Sequence, residues 1–181
     1  GGPIIEKFEK KVEKKFKLKK AFICSNGTSA LHLATKALNL KKGDKVIVPA
    51  ISFVATANVL EFEGIEIIFA DVDPSNGLIT EETLLEAIKD SKFKAKAVFL
   101  VHLNGQSIDM PKIKKIANTY DLKIVEDACH ALGTKYKNGK SWINIGSSKD
   151  SDITCFSLHP VKAICMGEGG IVTTRSKKIS K

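Results

Sequence analysis

The sequence predicts a three-layer α/β/α fold built on a mostly parallel sheet, with helices on both faces. Three observations carry that prediction. Short apolar runs alternate with amphipathic ones along nearly the whole chain. The apolar runs are rich in Val, Ile and Phe, as strands buried on both faces are. The chain has 181 residues, 43% of them hydrophobic, enough for one sizeable core and too few for two large domains. No repeat and no low-complexity linker divides it, so residues 1–181 read as one domain.

The elements follow in order. Ile5, Phe8, Val12 and Phe16 recur at spacings of three or four and mark a helix over 4–16. "AFICS" is a short strand, and "NGTSALHLATKALNL" a helix with Leu31, Ala34 and Leu38 on one face. "KVIVPA" is a buried strand, and "SFVATANVLEFEG" a helix ending at Gly64. "IEIIFADVD" is a strand. "TEETLLEAIKD" is a helix with Thr80 as N-cap and Thr83 three residues on, a cap without the full box. "AKAVFLVH" is a strand, "DMPKIKKIANTYD" a helix and "KIVEDA" a strand. "SDITCFSL" and "GGIVTT" are two more, with a lysine between them.

Composition excludes several classes. Disorder and fibrous repeats do not fit it. No apolar run approaches the roughly 20 residues of a membrane span. The Gly-Gly-Pro start shows no signal peptide, and a cytoplasmic protein is expected. Cys24, Cys129, Cys155 and Cys165 have no C-x-x-C spacing and read as reduced thiols. The histidines are scattered and Cys129-His130 are adjacent, so no metal site is expected. The net charge of +9 invites a nucleic-acid reading. Yet Arg175 is the one arginine among 29 basic residues, and arginine is the residue that reads phosphates and guanines in a planar fork. Many lysines sit among glutamates in helix-like stretches, as on a solvated face. No nucleic-acid partner is therefore expected. The charge can still draw in an anionic substrate.

In such a sheet, ligands bind beyond the carboxyl ends of the strands. "CSNGTSAL" turns there from strand to helix. Gly27 permits close backbone approach, the first amides of the helix point outward, and Thr28 and Ser29 add hydroxyls. That is a phosphate site or an ordinary capped turn. Asp127 in "IVEDACHALG" stands just past a strand end, where an acid can bind a metal, cap a helix or pair with a cationic ring. "FSLHPVK" places Ser157 and Lys162 past another strand end, with Pro160 stiffening the approach. Lys162 is one more surface charge, or it is held still because its amine acts as a nucleophile or base. Separately these features are ordinary. Together they offer a phosphate cradle, a carboxylate and a lysine at one sheet edge, the set that pyridoxal phosphate requires.

The runs "GTSALHLA", "GDKVIVPAISFVATAN", "ADVDP", "VHLNGQ", "VEDACHALG" and "FSLHPVK...GEGG" cover nearly the whole chain. In order and spacing they resemble the DegT/DnrJ/EryC1/StrS sugar aminotransferases. The resemblance implies the major, cofactor-binding domain of a fold-type I enzyme, acting as a homodimer on a nucleotide-linked keto sugar for surface-glycan or amino-sugar synthesis. The "HPVK" form is similar to enzymes that aminate UDP-linked 4-keto-6-deoxy sugars. Lys162 would then form the Schiff base and move the proton, with an amino acid, glutamate, as donor. Asp127 would pair with the pyridine nitrogen and His130 would sit by the ring hydroxyl. Phe53 would stack on the ring, and Thr28, Ser29 and Ser157 would hold the phosphate. His159 and Glu168 would lie near the sugar or the lysine. Some relatives are dehydratases with histidine in place of the lysine, so Lys162 favours transamination. The glycine pair Gly169-Gly170 is expected to turn the chain into the last strand. Family chains are about twice as long, so a missing smaller C-terminal domain is also expected. Two rivals are a non-catalytic cofactor-binding relative and a generic nucleotide- or nucleic-acid-binding domain. Lys162 and Asp127 argue against the first. The absence of a dinucleotide fingerprint and the scarcity of arginine argue against the second.

Overall fold

A computed structural model describes residues 2–180. Among them, helices α1 (Pro3–Phe16), α2 (Gly27–Ala37), α3 (Ala55–Glu61), α4 (Glu81–Asp90) and α5 (Met110–Thr119) alternate with strands. The strands are β1 (Lys20–Cys24), β2 (Lys45–Pro49), β3 (Glu66–Ala70), β4 (Ala95–Val101), β5 (Lys123–Asp127), β6 (Lys135–Asn138), β7 (Ser141–Asn144), β8 (Ile153–Ser157) and β9 (Gly170–Thr174). Seven of them form one sheet in the order β1-β9-β8-β5-β4-β2-β3. The neighbours β8-β5, β5-β4, β4-β2 and β2-β3 are parallel, whereas β9 runs antiparallel to both β1 and β8. Six strands therefore point the same way, and their carboxyl ends share one edge. The reversal of β9 has a simple cause. A parallel return needs a crossover, usually a helix, and the segment from Leu158 to Gly169 holds none.

The two faces of the sheet bury separate cores. On one, Val12 and Phe16 of α1, Leu84 and Ile88 of α4, and Met110 and Ile113 of α5 pack over Ile47, Val98 and Ile124. On the other, Ala30, Leu31 and Ala34 of α2 join Val59 and Leu60 of α3 over Val46, Phe99, Cys155 and Val172. Successive strand residues face opposite layers, and the central strands β2, β4 and β8 are buried on both sides because both sides are covered. None of these helices is long and apolar enough to cross a membrane, among the described residues.

Three local features differ from expectation. The α4 cap is a full reciprocal box: Thr83 N–H donates to Thr80 Oγ1 at 3.2 Å, and Thr80 N–H donates to Thr83 Oγ1 at 3.0 Å. A threonine hydroxyl supplies the return bond that Glu or Gln usually makes. Thr80→Ala removes one of these bonds and is expected to cost about 1 kcal/mol, read as a lower urea midpoint at unchanged slope. The second feature is the β6–β7 hairpin, which apolar runs do not announce. The third concerns Gly169-Gly170. The left-handed turn into β9 falls at Gly167 (φ 74°), not at the pair. Gly170 lies inside β9, where a Cβ would strike the Asn26 carbonyl and Cys24 Sγ, so it serves close approach rather than turning.

Candidate active site

The carboxyl ends of β1, β4, β5 and β8 converge on a cavity of about 320 Å³, within the range of small-ligand sites. Thr28, Phe53, Asp127, His130, Ser157 and Lys162 all line it, as do His159 and Glu168. Ser29 does not. Its hydroxyl hydrogen-bonds with Ser25 Oγ at 2.9 Å, and its N–H donates to Asn26 Oδ1 at 2.8 Å.

That last bond caps α2. It leaves the amides of Gly27 and Thr28, the first two of the helix, beyond reach of any intrahelical carbonyl. They stand at the positive end of the helix dipole beside the Thr28 and Ser157 hydroxyls. Gly27 is required by space. A Cβ on it would come within 2.8 Å of Ser157 Cβ and 3.1 Å of Cys129 Sγ. The hollow that a side chain would fill is thus open in front of bare amides, and it suits an anion of phosphate size.

Asp127 ends β5 and is 4% exposed. Thr56 Oγ1 donates to its Oδ2 at 2.7 Å, and the Cys129 N–H donates to its Oδ1 at 3.2 Å. Both carboxylate oxygens are thus held by fixed donors, and the group faces the cavity. The nearby Cys129 thiol is driven up by burial and by the Asp127 charge. It stays protonated and is no nucleophile. All four cysteines are free.

His130 Nδ1 accepts the Asn104 N–H at 3.2 Å, which puts the ring proton on Nε2. Burial and the Lys162 ammonium both lower its pKa from the ordinary 6.5. At neutral pH it is therefore an uncharged ring that can donate a hydrogen bond. Asn104 reaches it from a left-handed turn (φ 54°) after β4.

Lys162 lies in the loop after β8, anchored by its own N–H to the His159 carbonyl at 2.9 Å. His159 Nε2 and Glu168 Oε1 stand 3.8 Å apart across the same loop. Phe53 precedes α3 and is 69% exposed at the cavity. Chemically, the site offers bare amides for an anion, a buried carboxylate for a cation, an amine, a neutral imidazole and an uncovered aromatic face.

Sequence reasoning gave no role to two groups that serve this site, although His102 and Glu126 stand at strand ends. Thr56 looks like a buried-face residue of α3, and nothing linear connects it with Asp127. His102, fully buried after β4, donates from Nε2 to Glu126 Oε2 at 2.8 Å, and Ser151 and Thr154 donate to Oε1. The adjacent acids in "VED" were the one visible signal, since alternation sends them to opposite faces.

Comparison with known proteins adds a family. The sequence profile of the DegT/DnrJ/EryC1/StrS aminotransferase family matches residues 1–181. GDP-perosamine synthase of Escherichia coli O157:H7 is 38% identical over 178 residues, 98% of this chain and 46% of that protein. The chain thus spans about half the length of the curated relatives it matches. The solved structure of NtdA from Bacillus subtilis with bound cofactor PMP superposes with a TM-score of 0.87 at 34% identity, over 100% of this chain and 39% of that one. The E. coli GDP-4-keto-6-deoxy-D-mannose-3-dehydratase with bound hydrated PLP gives 0.87 at 32% identity, over 98% and 45%.

Proposed function

The chain belongs to the DegT/DnrJ/EryC1/StrS aminotransferase family, and on that premise we propose that it carries the cofactor-binding half of a pyridoxal-phosphate enzyme that moves an amino group from an amino acid, glutamate, to a nucleotide-linked keto sugar. The observation that carries the reading is the meeting of Lys162, Asp127 and the bare α2 amides at one cavity. The donor set fits the cofactor. The hollow at Gly27, ringed by amides and the Thr28 and Ser157 hydroxyls, takes the phosphate. Ser29, bonded to Ser25, would support that rim rather than hold the phosphate directly. The carboxylate of Asp127 takes the protonated ring nitrogen, His130 donates to a ring oxygen, and Phe53 covers one face.

When bound, the ring supplies an electron sink for the pair left on an amino acid's α carbon as its proton departs. The protein's own groups do the rest. Lys162 Nζ would hold the cofactor, and its amine would move the proton as general base and acid. Thr56 and the Cys129 N–H hold the Asp127 carboxylate in place, where it would pair with a protonated ring nitrogen. Neutral His130 donates without adding charge. A shared fold does not separate aminotransferases from dehydratases. Lysine rather than histidine at 162 supports the transfer reading.

A 4-keto-6-deoxy sugar on a nucleoside diphosphate is the substrate class. The sequence resemblance favours UDP, and the E. coli relative is named for GDP. The basic surface suits such an anion. A second copy of the chain is the expected partner. Phe53, Val161, Ile164 and Met166 around the site are each more than half exposed, and a homodimer that covers them would also screen the site from water. The free thiols support a reducing, cytoplasmic setting.

The test is covalent trapping. Pyridoxal phosphate is added, the visible absorption of lysine-bound cofactor recorded, and borohydride used to fix it for peptide mapping. Label confined to Lys162 is expected. Label spread over surface lysines, or none at 162, would sink the proposal.

A further inference from the structure

We propose that Thr56 is a positioning residue: its hydroxyl holds the Asp127 carboxylate in one orientation and so sets how strongly the protein grips the ring nitrogen of its cofactor. The inference rests on the reading above, in which Asp127 pairs with that nitrogen.

Thr56 is fully buried on α3. An ionised carboxylate can only accept, so the Thr56 proton goes to Asp127 Oδ2, at 2.7 Å. The Thr56 oxygen is then free to accept, and Ser52 Oγ stands 2.7 Å away as donor. With the Cys129 N–H on Oδ1, each carboxylate oxygen has its own fixed donor. The group cannot swing about its last torsion without breaking one of them, and its remaining lone pairs serve the cavity. A preorganised anion meets a cationic ring without first reorganising.

The same residue ties the acid to the aromatic wall. The Thr56 N–H donates to the Phe53 carbonyl at 3.1 Å, and Ser52 Oγ, which has one proton for Thr56 Oγ1 and this carbonyl together, lies 3.0 Å from it. The turn from Ser52 to Thr56 thus fixes the group that would cover the ring face and the group that would hold its edge, although the second lies 71 residues further on.

The decisive experiment measures equilibrium binding of pyridoxal phosphate and of its 1-deaza analogue, in which C–H replaces the ring nitrogen. The proteins are wild type, Thr56→Val, Thr56→Ser and Asp127→Asn, each checked for unchanged thermal unfolding. Loss of one hydrogen bond to a charged group is expected to weaken pyridoxal phosphate binding about tenfold in Thr56→Val. The deaza analogue should bind Thr56→Val nearly as it binds wild type, and Thr56→Ser should restore the natural cofactor. Equal losses for both ligands would mean that Thr56 only shapes the pocket, and no loss for either would mean that the hydroxyl is idle. Either result overturns the proposal. Wild type binding both ligands alike, with Asp127→Asn changing neither, would instead overturn the pairing of Asp127 with the nitrogen, and this inference with it.

Discussion

Lys162→Ala is expected to lower turnover roughly ten-thousand-fold, the upper end of what a positioned acid-base group contributes, while leaving the fold intact. The contrast follows from where the lysine sits. Its side chain is part-exposed in the loop after β8, and its anchoring bond to His159 uses the backbone N–H, which alanine keeps. A change of that kind normally moves stability by less than about 0.5 kcal/mol. The whole loss should therefore appear in kcat, with thermal unfolding unmoved. Removing the side chain also opens room beside the cavity. Small primary amines added to the variant should then restore part of the rate, and the more basic amines should restore more, because a proton-transfer step follows the strength of the base. Stopped-flow measurement of the amino-acid half-reaction checks both statements. Normal turnover in Lys162→Ala would remove the lysine from the mechanism, and an amine series without any trend would leave it only a structural role.

The parts of this molecule that could be read from sequence are those carried by period and punctuation. Val12 and Phe16 lie on the buried face of α1 as their spacing requires, and the strand runs fall where apolar residues crowd. The β6–β7 hairpin was missed because Lys135–Asn138 and Ser141–Asn144 are half polar and form a separate two-stranded sheet. Its signal was present in Asn138-Gly139. Gly139 takes a positive φ of 59° at the first place of a two-residue loop, as a hairpin turn requires. At the site, the residues that would touch a ligand were legible because strand ends are predictable places for function. Those that hold the ligand-binding residues were not. Thr56 and Glu126 act through partners 71 and 24 or more residues away, and no local pattern records which strands become neighbours. Ser29 stands off the cavity for the opposite reason. Two hydroxyls in a row at a helix start look equivalent, but successive helical residues point about 100° apart, and only Thr28 reaches the cavity.

Replacing Glu126 is expected to be the most destabilising change of a single charged side chain in this fold. Its carboxylate is buried between β4 and β8 and accepts from three donors, His102 Nε2, Ser151 Oγ and Thr154 Oγ1. His102 Nδ1 in turn accepts the Ile108 N–H at 3.3 Å, which fixes the neutral, Nε2-protonated ring. Glu126→Ala takes the shared acceptor from all three donors and leaves the buried His102 Nε2–H without a partner, at a cost of about 1–3 kcal/mol for each buried donor left unsatisfied. Glu126→Gln is the sharper probe. Its oxygen can take the His102 Nε2–H while its NH2 donates to Ser151 Oγ and Thr154 Oγ1, whose hydroxyls turn to accept. Every group keeps a partner but the charge-assisted bonds become neutral ones, and about 1 kcal/mol should be lost. The pH dependence follows from the same contacts. Burial opposes ionisation of Glu126, yet the His102 bond and the two hydroxyls outweigh it and hold its pKa below the ordinary 4.5. A carboxyl depressed on folding stabilises the protein above its unfolded pKa and loses that contribution as pH falls through the folded one. Wild-type unfolding temperature should thus drop from about pH 4.5 downward, and that acid limb should be flatter in Glu126→Gln, which has no proton to gain. The cavity should feel the change too. The backbone N–H of His102 donates to the Asp127 carbonyl at 3.1 Å, so a loosened His102 frees the strand end that carries the acid. Glu126→Ala is accordingly expected to weaken cofactor binding as well as stability. Calorimetry from pH 3 to 8 with a parallel binding titration separates the outcomes: an unchanged acid limb would show that Glu126 is not the group titrating, and unchanged binding would confine its role to the core.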